Sequence, residues 1–526
     1  LVLAWIGLPA FAQEGLFTLE HSEHWRVERA AAVSGRAEHL DVRPMSFWTV
    51  QSQLQDANLD SAAYGNLPLK RQNRSYLRLM PQFSLGGFNQ AGAGARTGFE
   101  TMGGLGIGGG IKNKLYFSVD GIWGAVQPYA HISAITDSLR ALPGWGYANR
   151  SIGGADVFGV NQISAVIAYK PSQYFELFAG RGRHFIGEGF RSMFLGDAAP
   201  NYNYAKADVN VWRLRYMVLY AQFDQSADYP SRVFPTYRKY STMHYLTVKV
   251  NDYWKVGAFE SVVWESEDSV INRGIDIHYL NPLIFFRPVE YGIGSSDNSL
   301  LGFTSTVQPM PELTLYGQFL LDEFVFGEWL APIQRRISGD SSLATGWWGN
   351  KQSYQFGIKY HQPFGWKQAS MIAEVNIVRP FTYGHSNRAQ SFTHMNTPLA
   401  HPLGANFIEW VNVWYWQPKR WNISLISTYA RKGYTNQIAV MGEDILVSNT
   451  DRDANNREHG NFLLQGRRED VANVRLGVGY TLIPNWNLRA EGTMHYRLTR
   501  TQGQVSDGVI IGFALRTALW NNHYNL

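Results

Sequence analysis

The chain has 526 residues, enough for several soluble domains or one large barrel, with 14% aromatic residues, 51 glycines and no cysteine. Without cysteine it has neither a disulfide framework nor a thiolate metal site. The formal net charge of +5 is small for this length and gives no nucleic-acid footprint.

The N-terminus reads LVLAWIGLPAFAQEG. Leu1 to Ala12 is apolar and ends in the small-x-small pattern Ala10-Phe11-Ala12, so residues 1–12 are expected to be the remnant of a signal peptide cut before Gln13. Residues 13–74 show no alternation. HSEHWRVERAAAVSGRAEHL is mildly helical in composition. We expect residues 13–74 to form a small N-terminal periplasmic segment that folds against or into the base of the remaining chain. His21 and His24 are three apart and lack a third ligand at metal-binding spacing, so we assign no metal to them.

From residue 75 the period is two. Leu77, Leu79, Phe83 and Leu85 alternate with Arg78, Gln82, Ser84 and Gly86. Near the other end, Leu488, Ala490, Met494, Tyr496 and Leu498 alternate with Arg489, Glu491, Thr493, His495, Arg497 and Thr499. Such segments can cross a bilayer when tilted, at about 9–11 residues each. One face then meets lipid and the other a polar lumen. The connections alternate too. Short turns at 112–114, 171–173, 251–253, 309–312, 362–366, 417–421 and 483–485 separate long polar loops near 126–160, 187–207, 226–238, 266–297, 326–350, 380–405 and 435–468. No later stretch approaches the apolar length of a membrane helix. A soluble sandwich or propeller would also alternate, but not with ordered short and long connections. A direct count gives 17 strands, an odd number. Splitting DVNVWRLRYMVLYAQFDQ at Tyr216-Met217 restores 18. The expected fold is an all-β, antiparallel transmembrane barrel of about 18 strands over residues 75–526, in the outer membrane.

Glu176–Asp197, ELFAGRGRHFIGEGFRSMFLGD, concentrates glycine and arginine. Its glycines miss the spacing of a dinucleotide fingerprint, and no Gly-Lys-Ser/Thr closes a phosphate loop, so no nucleotide or other cofactor is implied. It reads as an upward strand over 174–186 followed by an outer loop at the rim, with Gly180 and Gly182 permitting a bulge that turns Arg181 and Arg183 inward. Asp322 shares the lumen parity of Thr314, Tyr316 and Gln318 and is expected to pair with inward arginines. Arg475, Arg489, Arg497 and Arg516 are expected to pair with inward acids such as Glu491 or with the N-terminal segment, closing the lumen. His385, His394 and His401 share one outer loop and read as hydrogen-bonding or stacking residues. No spacing singles out a catalytic nucleophile.

Several stretches resemble the capsule-assembly outer-membrane proteins of the Wzi family. They are AGRGRHFIGEGFRSMFLGD followed by NVWRLRYMVLYAQF, then HYLNPLIFFRPVEYGIGSSDNSLLG, LYGQFLLDEF and PLAHPLGANFIEW. The likeness is closest to the gliding-motility-associated, RemB-like branch of Bacteroidetes. It implies an 18-stranded barrel with a periplasmic helical part and a non-enzymatic role in binding or organising surface or capsular polysaccharide, with a possible link to gliding. The alternative is a channel for small solutes or oligosaccharides. The expected glycan contacts at the outer rim are Arg183, Glu188 and Arg191 from the glycine-arginine stretch, Asn281, Arg287 and Glu290 after the ninth strand, and His394 and His401 after strand twelve, with Phe190, Phe285 and Tyr291 offering ring faces. The expected partners are surface or capsular polysaccharide, outer-membrane lipid and lipopolysaccharide, and outer-membrane motility or secretion components.

Overall fold

The computed structural model describes residues 16, 19–33, 35, 37–54, 75–150, 156–227, 236–266, 274–283, 297–436, 440–452, 457–517, 521, 523 and 526. Residues 1–12, the expected signal-peptide remnant, lie outside them.

Eighteen antiparallel strands close into one barrel. The first nine are β1 Tyr76–Gly92, β2 Arg96–Ile111, β3 Leu115–Val126, β4 Phe158–Tyr169, β5 Phe175–Gly182, β6 Tyr202–Val211, β7 Leu214–Ser226, β8 Thr236–Lys249 and β9 Trp254–Glu265. The second nine are β10 Asn298–Met310, β11 Leu313–Leu321, β12 Gln352–His361, β13 Ala369–Val378, β14 Phe407–Trp416, β15 Trp421–Tyr434, β16 Arg467–Ile483, β17 Leu488–Thr501 and β18 Gln504–Arg516. Each strand pairs with its neighbours in sequence, and β1 pairs with β18 from Ser84↔Arg516 to Gly92↔Gly508. Closure leaves no edge strand, so backbone groups are satisfied within the sheet.

The period-two pattern sets the two faces. On β1, Leu77 and Leu79 point out, 66% and 59% exposed, while Gln82 and Ser84 are buried in the lumen. The same holds for Leu105, Ile107, Val119, Trp123, Ile163, Ile167 and Phe356, all exposed on the outer wall. The end with short turns carries a ring of exposed aromatics, including Tyr174, Trp212, Tyr253, Phe364, Trp366, Trp416, Trp421 and Trp486. An apolar belt edged by aromatics is what lipid and its interface select. No helix among the described residues is long and apolar enough to cross a membrane.

Three expectations change. The hairpin between β6 and β7 turns at Trp212-Arg213, with Val211 opposite Leu214, four residues before the split at Tyr216-Met217. Both strands are full length, and Trp212 sits in the left-handed region at φ +56. No Gly, Asn or Pro marks this turn, so its chemistry was invisible to a search for turn residues. The expected bulge at Gly180–Gly182 is absent, since β5 pairs with β6 in unbroken register through Arg181↔Asn203 and Gly182↔Tyr202. Arg181 keeps its outward parity and donates to Asn203 Oδ1 (3.0 Å), and Arg183 turns inward just past the strand end. Finally, the chain after β5 does not stay at the rim. Residues 184–200 are buried throughout and fold into the lumen.

Among the described residues, two helices precede the barrel, α1 His21–Val33 and α2 Phe47–Leu54. Both occupy the short-turn end of the lumen. Gln308 Nε2 donates to Ala32 O (2.7 Å), and Ala37 N to Asp252 O (2.7 Å). Arg29 Nη1 reaches Gln368 O (3.1 Å) and Ser370 Oγ (3.3 Å). Ser46 Oγ donates to Glu176 of β5 (2.5 Å). A two-residue ladder, Val42↔Ile186 and Arg43↔Phe185, joins this base to the inward loop.

Candidate functional site

The inward loop is held by charge. Glu188 lies between two lumen lysines, Lys255 of β9 (2.8 Å) and Lys359 of β12 (2.6 Å). Lys359 also binds Glu28 of α1 (2.7 Å), and Lys255 binds Asp41 (3.1 Å). Burial pushes the Glu188 carboxyl up, but the two ammonium groups beside it outweigh burial and hold it at about 2. One cluster of ions therefore joins the loop, the N-terminal helix and two walls of the barrel. Breaking such a buried set leaves an uncompensated charge.

Farther along the loop, Glu374 of β13 accepts from the backbone N–H groups of Phe190 (2.9 Å) and Arg191 (3.1 Å) and from the Tyr316 hydroxyl (2.7 Å). The Arg191 guanidinium forks onto Glu409 of β14 at 3.3 and 3.1 Å. His401 Nε2 meets the same carboxylate at 2.7 Å. The glycines of this stretch are explained by contact. A Cβ on Gly187, which has φ +145, would lie 2.5 Å from Gln318, and one on Gly189 would lie 2.2 Å from Glu374 Oε2. Only a bare backbone fits between the carboxylate and the wall.

Arg183 clamps the mouth of the loop. Its donors reach Asn201 Oδ1 (3.1 Å), Asp197 O (3.0 Å), Gly144 O (3.0 Å) and Gln162 Oε1 (3.0 Å). His394 takes the N–H of Asp224 on Nδ1 (3.0 Å), and its Nε2 faces Asn201 O (3.3 Å). Burial pushes the imidazole of His394 down to about 3 and lowers that of His401. Of the eight sequence candidates, the structure brings Glu188, Arg191 and His401 together with the lumen wall as braces, all buried. Arg183 and His394 tie loops to one another. Asn281 is exposed, and Arg287 and Glu290 lie outside the described residues.

Asn281 is not at the rim. The segment 274–283 runs down the outer wall, where Thr242 Oγ1 donates to Tyr279 O (2.7 Å), the Tyr220 hydroxyl to Leu280 O (2.8 Å) and the Tyr216 hydroxyl to Pro282 O (2.6 Å). It covers Thr242, His244 and Glu260, whose parity points outward but which are buried. A charged side chain on the lipid face is costly at mid-membrane depth, about 2–4 kcal/mol for Arg or Lys and less for an acid such as Glu260. The strap removes that cost.

Two of the lumen arginines are paired with acids as expected, while Arg497 donates to Asn473 Oδ1 (3.0 Å). Arg516 binds Glu491 (2.6 Å), and Arg489 binds Glu20 of the N-terminal segment (2.8 Å). Asp322 accepts from the Tyr383 N–H (2.6 Å) and so anchors an outer loop.

Above the plug, in the long-loop half of the lumen, sits a cavity of ≈ 480 Å³. Its walls are the upper parts of β15, β16 and β17, a helix α3 (Ala130–Leu139) and the loops 396–404 and 443–446. The sequence reading missed it because its residues come from eight separate segments. Lys432, Arg497, Glu443 and Glu469 supply charge, while His131, Ser138, Thr397, Tyr434 and Thr499 supply ring or hydroxyl groups. Ile135, Leu139, Pro398, Leu403 and Val471 supply apolar wall. Charges, hydroxyls and flat apolar faces in one cavity can bind a polyhydroxylated ligand. Two of the loops named from the sequence contribute, through Ala198 and through Pro398, Pro402 and Leu403.

The fold is similar to a solved barrel. Wzi of Escherichia coli, a carbohydrate-binding β-barrel of the outer membrane involved in group 1 capsule assembly, superposes with a TM-score of 0.57 over 95% of this chain and 99% of its own, at 13% identity. The protein is an eighteen-stranded outer-membrane β-barrel. The Pseudomonas aeruginosa proteins OprD and OpdK, the latter with vanillate, give TM-scores of 0.40 and 0.44, each at 10% identity over 84% of this chain and 95% and 98% of theirs. No protein-family model matches the chain, and no curated protein does. The short-turn end is therefore periplasmic, and the cavity lies on the extracellular side.

Proposed function

We propose that this barrel is non-enzymatic and holds surface or capsular polysaccharide in the cavity on its extracellular side. The observation that carries the reading is the pairing of that cavity with a lumen filled from below. Helix α1, the inward loop and their shared ions occupy the path that a solute would take. A channel needs an open lumen with a constriction, and a retaining site needs a floor. Sugar hydroxyls suit Glu443, Glu469, Ser138 and Thr499, and an acidic glycan suits Lys432 and Arg497. The similarity to Wzi, itself a carbohydrate-binding barrel, supports the reading.

The rim residues named from sequence enter this proposal in part. Arg183, Glu188, Arg191, His394 and His401 shape the cavity floor and its loops. Asn281, exposed on the outer wall, is left out of the proposed site, and Arg287 and Glu290 lie outside the described residues. A place in the RemB-like branch and a link to gliding or secretion components rest on sequence resemblance alone.

The test uses Arg497→Ala and the double variant His131→Ala/Ser138→Ala in the native host. Retention of surface polymer falls severalfold while each barrel still shows a heat-dependent gel shift. Unchanged retention in both, with the shift intact, overturns the site.

A further inference from the structure

One outer-loop helix is built inside out. Helix α4, Phe326–Ser338, follows β11 and is amphipathic, with Glu328 in its first turn and Arg335 and Arg336 in its last. Phe326, Trp329, Ile333 and Ile337 recur at the spacing of one helical face. In a water-soluble loop that face would turn inward. Here it is bare. Phe326 is 62% exposed, Ile333 49% and Ile337 81%. The helix meets its own protein with the opposite face. Ala331 is buried there, Glu328 pairs with His459 (3.2 Å) and Arg335 donates to Leu343 O (3.5 Å).

The first turn of α4 is continuous with the lipid-facing wall. Trp329 packs beside Phe324, three residues past the end of β11, with ring centroids 6.3 Å apart, and on the β11–β12 wall Tyr354 stacks on Phe319 at 5.0 Å. Phe319 and Tyr354 have the outward parity of Leu315 on β11 and of Phe356 and Ile358 on β12, which are exposed in the apolar belt. Trp329 also stacks on Phe326 at 6.1 Å. The aromatic surface of the wall is thus taken up again just past the outer end of β11 and carried onto the helix.

We propose that α4 lies in the outer leaflet, with its apolar stripe among the acyl chains of lipopolysaccharide and Arg336, beside the stripe in the last turn, at the level of the lipid phosphates. An apolar stripe flanked by arginine is the composition of an interfacial helix. Continuity with the belt sets the depth, and the long stem of Arg336 lets its guanidinium reach the phosphates. The helix then acts as a float that sets how deep the extracellular loops sit.

The chain has no cysteine, so single cysteines can be spin-labelled without background. Labels are placed by Ile337→Cys on the stripe, Phe356→Cys in the belt and Asp340→Cys just past the helix, where the side chain is exposed. The full-length protein is reconstituted in vesicles of lipopolysaccharide and phosphatidylethanolamine, and relaxation by oxygen is compared with relaxation by a water-soluble nickel complex. The oxygen-to-nickel ratio at Ile337→Cys is expected several times above that at Asp340→Cys and close to that at Phe356→Cys. A ratio equal to the Asp340→Cys value overturns the proposal. Shielding that disappears when protein is diluted tenfold in lipid also overturns it, because a second copy is then the occupant. A gel shift for each labelled protein shows that it is folded.

Discussion

At the scale of single residues, buried ions and bare backbone decide whether the plug seats. Arg191 and His401 share one carboxylate, Glu409, and Arg191 is 5% exposed. Arg191→Ala is expected to cost about 3–5 kcal/mol, because Glu409 keeps its burial and loses its main counter-charge. Arg191→Ala combined with Glu409→Gln costs less than the sum of the two single changes, which a double-mutant cycle in urea unfolding measures. Gly189→Ala places a methyl group 2.2 Å from Glu374 Oε2. The loop must back away from the carboxylate that holds the Phe190 and Arg191 N–H groups, at about 1–3 kcal/mol. Limited proteolysis in the 184–200 segment is expected to speed up in this variant, while Gly103→Ala, in open space, serves as the control for a glycine that contacts nothing. The glycine-arginine stretch was legible as special in the sequence. Its direction was not, because the partners of Glu188 and Arg191 lie roughly 70 to 220 residues away in sequence, on β9, β12, β13 and β14.

At the scale of elements, the base helix and the inward loop form one acid-sensitive unit. Burial lowers His21 to about 3, His24 to about 4, His394 to about 3 and His523 to about 4. Between these values and the ordinary histidine value near 6.5, the unfolded chain binds more protons than the folded one. Stability therefore rises with pH through that window. It is complete above about pH 6.5 and drains as pH falls toward 3. Glu188 and Asp197, both held at about 2, act in the same direction at lower pH, their contribution being present above the ordinary carboxylate range and lost as pH falls through 2. Urea midpoints followed by tryptophan fluorescence are expected to be flat above pH 7 and to fall steadily from pH 6.5 to 4. A midpoint that stays flat to pH 4 contradicts this account. Strands and short turns were readable from sequence because a two-residue period and a turn are local. The one turn misplaced, at Trp212-Arg213, carries no turn residue.

At the scale of the whole molecule, eighteen strands around a filled lumen give a stiff cylinder whose ends differ. The periplasmic end has two-to-seven-residue turns and an aromatic ring, and the extracellular end has the long loops, the cavity and α4. The filled lumen predicts that the parent protein gives no stable, large single-channel steps in planar bilayers. Replacing residues 187–196 with a short Gly-Ser linker removes Glu188, Arg191 and the backbone donors to Glu374 together. That variant is expected to conduct measurably more than the parent, provided it retains the heat-dependent gel shift. Equal conductance in both would mean that α1 and the base segment close the lumen unaided.

The sequence by itself determined the barrel, its strand number, its two faces and its orientation. The barrel, its faces and its orientation come from side-chain period and turn length, which are local properties of the chain, while the strand number also needed the even count that a closed barrel with both ends on one side requires. It also marked the arginines of the last strands as lumen groups needing acids, and Arg489 and Arg516 have them in Glu20 and Glu491. Only the tertiary structure decided where the long loops go. One enters the lumen, one lies along the outer wall and one carries a helix with its apolar face outward. A loop has no period to reveal its direction. What draws it in or out is a counter-charge or an apolar surface on a distant strand, and that surface exists only once the barrel has closed.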